Sequence, residues 1–245
     1  MPRLAPRVLI LGGTAEGRLL AGALGGWSVI SSLAGRTSRP LLPPGEVRIG
    51  GFGGVDGLAA YLRDRRIDAL VDATHPFAAT MTAHAVAAAA ATGVPLLVLR
   101  RPGWVAGPGD GWHRVPDLDE AAARLPRLGD RVFLTTGRQG IAAFAAVDEC
   151  WFLARSVEPP APPVPKRLEI VLDRGPFTLA GERRLLREHR VNVLVTKDSG
   201  GPSSKLAAAR ELGVPVLMVD RPPAPEVPTV DTVEVAVAWL EVAGR

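Results

Sequence analysis

Short apolar runs of strand length alternate with stretches of helical composition along most of the chain, and this order leaves few folds open. Strand-like runs at 7–11, 27–32 and 47–49 lead to a helix expected over about 55–65; a run at 69–72 leads to a helix over about 78–91 and then to a buried-looking strand at 95–99. Parallel neighbours need a crossover between them, so strand and helix in alternation predict parallel sheets faced by helices. The segment 101–111, rich in Gly and Pro, interrupts the pattern and marks a domain boundary. Further strand-like runs follow at 112–115, 131–134, 150–153, 168–171, 191–195 and 214–219. The expectation is an α/β chain of two domains, residues 1–101 and 112–245, with a cleft between them. The last helix, expected over 231–243 from a capping box of Asp231 and Glu234, is the element expected to pack back on the first domain.

Composition narrows the class. The 245 residues can bury a large core. Hydrophobic residues make up 47%, but Gly and Pro keep their runs too short to cross a bilayer. The first residues lack the apolar segment of a secretion signal, and Cys150, the single cysteine, leaves no internal disulfide to form, so a cytoplasmic protein is expected. The net charge is +4 and the pI is near 9.9. The arginines are scattered among few aromatics, so neither nucleic acid nor membrane is expected as a partner. An acidic small-molecule ligand fits this balance, and so does a surface of solvated arginine.

The first strand runs into Gly12-Gly13-Thr14-Ala15-Glu16-Gly17 and then a helix. A glycine turn opening a helix presents backbone N–H groups at a positive helix end, which suits a pyrophosphate. Gly12 and Gly17 hold the first and third positions of the dinucleotide fingerprint, while Thr14 stands at the second, so Gly13 must supply part of the close approach. The plain alternative is a tight strand-to-helix turn of any α/β protein. With the alternation, the turn makes both domains Rossmann-like in expectation. Proteins that prefer NAD carry an acid after the second strand; here stand Ser31, Ser32, Arg36 and Thr37. Hydroxyls and a guanidinium suit a 2′-phosphate, which points to NADPH, against the alternative of a solvated loop arginine.

Three further strands end in Thr and turn at polar residues or glycine, and in open parallel sheets such ends face the ligand. After Thr74, His75 can donate a proton, bind a carboxylate or cap the next helix; His84 follows, but no ligand set completes a metal site, and no metal is expected. Thr136, Gly137 and Arg138 offer a hydroxyl, backbone N–H groups and a cation suited to an anion, or an ordinary cap with a surface arginine. The loop Thr196-Lys197-Asp198-Ser199-Gly200-Gly201 combines a cation, a carboxylate, hydroxyls and paired glycines without the spacing of a nucleoside-triphosphate loop. Neither a nucleophile elbow nor an activated cysteine is present, so chemistry carried by a cofactor fits best.

Together, 9–18, 32–36, 49–54, 72–78, 101–104 and 195–201 resemble the precorrin-6A reductase family of cobalamin biosynthesis, above all in His75-Pro76-Phe77-Ala78 and Thr196-Lys197-Asp198-Ser199-Gly200-Gly201. The resemblance covers nearly the whole chain. It implies NADPH-dependent reduction of a carbon–carbon double bond in precorrin-6A, a tetrapyrrole with many carboxylates, to give precorrin-6B. On it, Gly12, Gly13, Thr14, Ala15, Glu16, Gly17, Ser32, Arg36 and Thr74 hold cofactor, with Arg36 on the 2′-phosphate. Arg101, Thr136, Gly137, Arg138, Lys197, Ser199, Gly200 and Gly201 bind substrate. His75, Asp198 and Lys197 are the candidate catalytic groups, with water as a rival proton source. Other cobalamin-pathway enzymes are the candidate protein partners, and a metal-free macrocycle is favoured over a cobalt-containing one. A methyltransferase or synthase of tetrapyrrole metabolism, and a non-catalytic NADPH sensor, are the alternatives.

Overall fold

A computed structural model describes residues 5–35 and 40–243; Arg36 and Thr37 lie outside the described residues. In chain order the first elements are β1 (Arg7–Leu11), α1 (Ala15–Ala23), β2 (Ser28–Leu33), β3 (Glu46–Ile49), α2 (Val55–Asp64), β4 (Ala69–Asp72), α3 (Ala79–Thr92) and β5 (Leu96–Leu99). There follow β6 (Trp112–Val115), α4 (Leu118–Arg124), β7 (Arg131–Leu134), β8 (Trp151–Ser156), β9 (Leu168–Leu172), α5 (Leu179–Glu188), β10 (Val193–Lys197), α6 (Ser204–Leu212) and β11 (Val216–Val219). The last are β12 (Thr229–Val230) and α7 (Val233–Ala243).

The chain forms two compact units, one of the residues up to Pro102 together with those from Pro222 onward, the other Gly103–Arg221. Each holds a six-stranded parallel sheet, the Rossmann-like α/β arrangement that alternation predicts. The first sheet has the order β3-β2-β1-β4-β5-β12, growing outward from β1 and then reversing. The second, β9-β8-β7-β10-β11-β6, repeats the plan with β7 in the place of β1. The sixth place differs. In the second sheet it is taken by β6, which precedes β7 in the chain, and in the first by β12, which comes after the whole second unit.

The expected second domain, 112–245, is corrected accordingly: unit 2 ends at Arg221. Thr229 and Val230 pair with Val98 and Leu99, and the Arg100 N–H donates to the Val230 carbonyl at 2.8 Å. A two-residue strand has no periodicity to read, and its partner alone reveals it. The cap of α7 also differs from expectation. The Val235 N–H donates to Thr232 Oγ1 at 3.3 Å, so Thr232, not Asp231, covers the helix end.

Alternate residues of β1 feed opposite faces of the first sheet, as the strand period demands. Val8 and Ile10 join Leu20 of α1 and Leu240 of α7, while Leu9 and Leu11 join Leu58 and Leu62 of α2 and Ala85 and Ala88 of α3. In unit 2, Phe133, Leu153 and Leu194 pack with Leu186 and Leu206. Among the described residues no helix is long and apolar enough to cross a membrane.

Cys150, just before β8, is 1% exposed. Burial raises its thiol pKa, the Glu149 and Asp130 carboxylates add to the rise, and Arg167 opposes it. A thiol whose pKa is raised on folding favours the native state below the unfolded pKa of about 8.5, and that contribution is lost as pH rises through the folded value. Alkylation by iodoacetamide at mildly alkaline pH is therefore expected to be slow in the native protein and rapid in denaturant. Equal rates would show an accessible thiolate.

Candidate active site

In a sheet of this order a ligand sits outside the carboxyl ends of the strands where the winding reverses. In unit 1 that point lies between β1 and β4, and the glycine turn follows β1 directly. The Gly12 N–H donates to the Ser32 carbonyl at 2.9 Å, which ties the turn to the end of β2. Gly13 adopts φ +117°, a conformation side chains resist, and a Cβ there would project into open space. Gly17 lies against β4's outgoing loop, where a Cβ would meet the Ala73 Cβ at 3.3 Å. Thr14 is spent within the protein: its Oγ1 donates to the Ala73 carbonyl at 2.7 Å and accepts from the Gly17 N–H at 3.1 Å. The second fingerprint position thus cross-links the turns after β1 and β4 and caps α1, leaving the approach to a ligand to Gly13.

At the end of β2, Ser32 Oγ accepts from Arg48 Nη1 at 2.9 Å. Arg48, on β3, also donates to the Gly50 and Gly51 carbonyls at 2.9 and 3.0 Å, and its guanidinium lies 3.8 Å over the Phe52 ring. The site expected to carry an acid in NAD-preferring proteins therefore carries a cation.

β4 ends in Asp72, 2% exposed, whose Oδ1 accepts from the Thr74 N–H and hydroxyl at 3.0 and 2.7 Å and whose Oδ2 accepts from the Thr82 hydroxyl at 2.6 Å. This carboxylate shapes the loop carrying Thr74 and His75, and Asp72, Thr74, His75, Thr82 and Arg100 line a shallow depression there. His75 is exposed, and its Nδ1 accepts from the Phe77 N–H at 3.3 Å, so the neutral ring carries its proton on Nε2. Arg101 pairs with Glu16 of the first turn of α1 at 2.9 Å. The structure thus places Arg101 beside the glycine turn.

In unit 2 the reversal lies between β7 and β10. Thr136, after β7, is buried with its Oγ1 unpartnered; Gly137 adopts φ +77° with open space at its missing Cβ. Arg138 pairs with Glu158 at 2.7 Å and keeps more than a third of its side chain exposed. After β10, Lys197 is half-buried, and Gly200 and Gly201 adopt φ +67° and +78°.

Asp198, a candidate proton donor, is enclosed by hydrogen-bond donors. It is 4% exposed; Oδ1 accepts from the Trp104 N–H at 2.9 Å and Oδ2 from Arg114 Nη2 at 3.0 Å, while its carbonyl accepts from Arg221 Nε. Burial alone would lower the Arg114 pKa, but the hydrogen bonds that Arg114 donates to Asp198 and Asp220 outweigh it and hold the guanidinium above its usual range. Both carboxylate oxygens thus accept hydrogen bonds within the protein, and Asp198 clamps together the 103–104 segment, β6 and the loop after β10. Trp104 reinforces it by donating from Nε1 to the Gly201 carbonyl at 2.8 Å. Gly103 packs tightly there, since a Cβ would stand 3.0 Å from Asp198 Oδ2 and the carboxylate would have to yield.

A family model described as precorrin-6x reductase CbiJ/CobK matches residues 7–241. The chain belongs to this reductase family. The precorrin-6A reductase of Rhodococcus erythropolis is 55% identical over 96% of this chain and 97% of its own. A solved CobK precorrin-6A reductase superposes with a TM-score of 0.92 at 45% identity, covering 98% of this chain and 97% of that one. The cobalt-precorrin-6A reductase of Priestia megaterium is more distant, 29% identical over 88% of this chain and 90% of its own. Membership of the precorrin-6x reductase family sets aside the methyltransferase, synthase and sensor readings. A reductase implies a nicotinamide cofactor, and the open glycine turn and cationic β2 end of unit 1 fit one. Among the described residues, no group of three or more His, Cys, Asp or Glu could hold a metal ion.

Sequence reasoning missed Arg48, Asp72 and Arg114. Asp72 and Arg48 stand in or beside motifs already singled out, but a strand-end residue reads as core or surface until its partners are known. Arg114 and Asp198 are 84 residues apart, and no local pattern links them.

Proposed function

We propose that the chain is an NADPH-dependent precorrin-6A reductase that saturates one carbon–carbon double bond of the macrocycle to give precorrin-6B, on a metal-free substrate. The observation that carries this reading is the glycine turn at the reversal of the first sheet, with no acid and an arginine at the end of β2. The preference for a metal-free macrocycle rests on the closer likeness to relatives named for that substrate. When bound, the reduced nicotinamide supplies a hydride to one carbon, and the neighbouring carbon must then take a proton.

The chain's residues orient and balance that chemistry. Gly12 to Gly17 hold the pyrophosphate with backbone N–H groups, and Arg101, held by Glu16, stands at the same helix end. Thr74, fixed by Asp72, and His75 border the reacting end of the cofactor. Arg138, Lys197 and the backbone of Gly137, Ser199, Gly200 and Gly201 bind the substrate's acetate and propionate groups. His75 is the candidate proton source for the product carbon, giving up a proton as imidazolium and returning to the neutral ring; with Asp198 committed elsewhere, water is its competitor.

The test is anaerobic turnover of precorrin-6A followed by loss of the reduced nicotinamide absorbance, with NADPH and NADH in parallel and a His75→Ala variant. Turnover with a clear preference for NADPH is expected, and His75→Ala is expected to lower kcat about 100-fold with little change in KM for NADPH. No turnover with either nucleotide would overturn the reading, and an unchanged kcat in the variant would assign the proton to water.

A further inference from the structure

The glycine run after β3 has no role in the function proposed so far, yet its backbone is open along four glycines. Gly50, Gly53 and Gly54 adopt φ of +120°, +82° and +95°, and a Cβ at any of these or at Gly51 would meet nothing within 4 Å. The run is nevertheless held in place. A Cβ on Gly57, in the first turn of α2, would fall on the Phe52 carbonyl at 1.8 Å, so the loop lies directly on the helix. Arg48 fastens the other side through the Gly50 and Gly51 carbonyls.

Ser32 joins this loop to the pyrophosphate turn. Its carbonyl accepts from Gly12 and its hydroxyl accepts from Arg48, so pyrophosphate turn, β2 end and guanidinium follow one another across adjacent strands. In a sheet of this order the ribose lies at the β2 end. Arg48 on β3 bonds Ser32 at that end, so a substituent on the 2′ oxygen directed toward β3 would meet it. Among the described residues the acceptors around Arg48 are all neutral, it forms no ion pair, and its hydrogen bonds run from Nη1 and Nη2. A guanidinium stacked on a ring and, among the described residues, facing only neutral acceptors is a ready partner for a phosphate.

We propose that Arg48, aimed by Ser32 and Phe52 and given room by Gly50 to Gly54, reads the 2′-phosphate of the cofactor's adenosine. The inference rests on the NADPH reading and adds to it a specificity residue on β3, distinct from Arg36.

Calorimetric titration of the full chain with adenosine 2′,5′-bisphosphate and with ADP tests it, using wild type, Arg48→Gln and Arg48→Lys. Wild type is expected to favour the bisphosphate. Arg48→Gln is expected to weaken the bisphosphate about 10- to 100-fold while ADP stays within about 3-fold, and Arg48→Lys to fall between. Equal weakening of both ligands would mean that Arg48 only shapes the loop, and an unchanged bisphosphate affinity would mean that it does not touch the phosphate; either overturns the proposal and leaves the NADPH reading standing. A wild type without preference overturns both. Thermal unfolding checks the variants, and if Arg48→Gln does not fold, Ser32→Ala, which leaves the charge and removes its aim, is expected to give a smaller loss confined to the bisphosphate; no selective loss there overturns the proposal.

Discussion

Valine at Gly17 is expected to weaken nucleotide binding about 10- to 100-fold, whereas alanine is expected to leave it within a few-fold. The difference lies in what surrounds the missing side chain. A Cβ at Gly17 would stand 3.3 Å from the Ala73 Cβ and 3.5 Å from both the Gly12 Cα and Thr14 Oγ1. One methyl group fits if the loop after β4 yields by a few tenths of an ångström. Two more carbons do not fit without driving α1 away from β4. That movement also breaks the Thr14 bridge to the Ala73 carbonyl, which holds together the two turns flanking the reversal of the sheet. Titration with NADPH, alongside thermal unfolding, reads both consequences. If valine binds as tightly as alanine, the pyrophosphate does not lie on this turn.

Removal of the Asp198 carboxylate by Asp198→Ala is expected to destabilise unit 2 by about 3 kcal/mol and to lower its melting temperature by about 10 °C. The substitution leaves the Trp104 N–H without its acceptor and strips Arg114 and Arg221 of a buried anion. Arg114 is 46% exposed and regains solvation, which keeps the cost at the lower end for a broken buried pair. Asp198→Asn keeps an acceptor for Trp104 but turns an amide toward Arg114, so an intermediate loss is expected. Scanning calorimetry with steady-state kinetics separates this clamp from a proton donor. A donor would lose kcat in Asp198→Asn with an unchanged melting temperature, and that outcome would sink the clamp.

Much of this was legible because its signals are local. Burial on both faces makes β1, β4, β7, β10 and β11 continuous apolar runs, and Gly12, Gly13 and Gly17 declare a turn whose backbone only glycine tolerates. The strand-end loops at Thr74, Thr136 and Thr196 could be placed on one side of each sheet, since parallel strands share a direction. Other features were not legible, because their partners lie far along the chain. Thr14 stands where the fingerprint has glycine, and only the Ala73 carbonyl, 59 residues on, explains it. Asp198 looked like an acid because Trp104, Arg114 and Arg221 could not be seen around it.

The sequence by itself determined the α/β class, two parallel sheets, the glycine turn and the absence of an acid after the second strand, all of which follow from residue spacing and backbone conformation within a few residues. Only the tertiary structure decided that the chain from Pro222 returns to complete the first sheet, that Asp198 is a clamp, and that Arg48 of β3 reaches the end of β2. Each of these depends on hydrogen bonds or ion pairs closed between separate strands and loops, and the energy of such a pair depends on distance in space, which spacing along the chain does not encode.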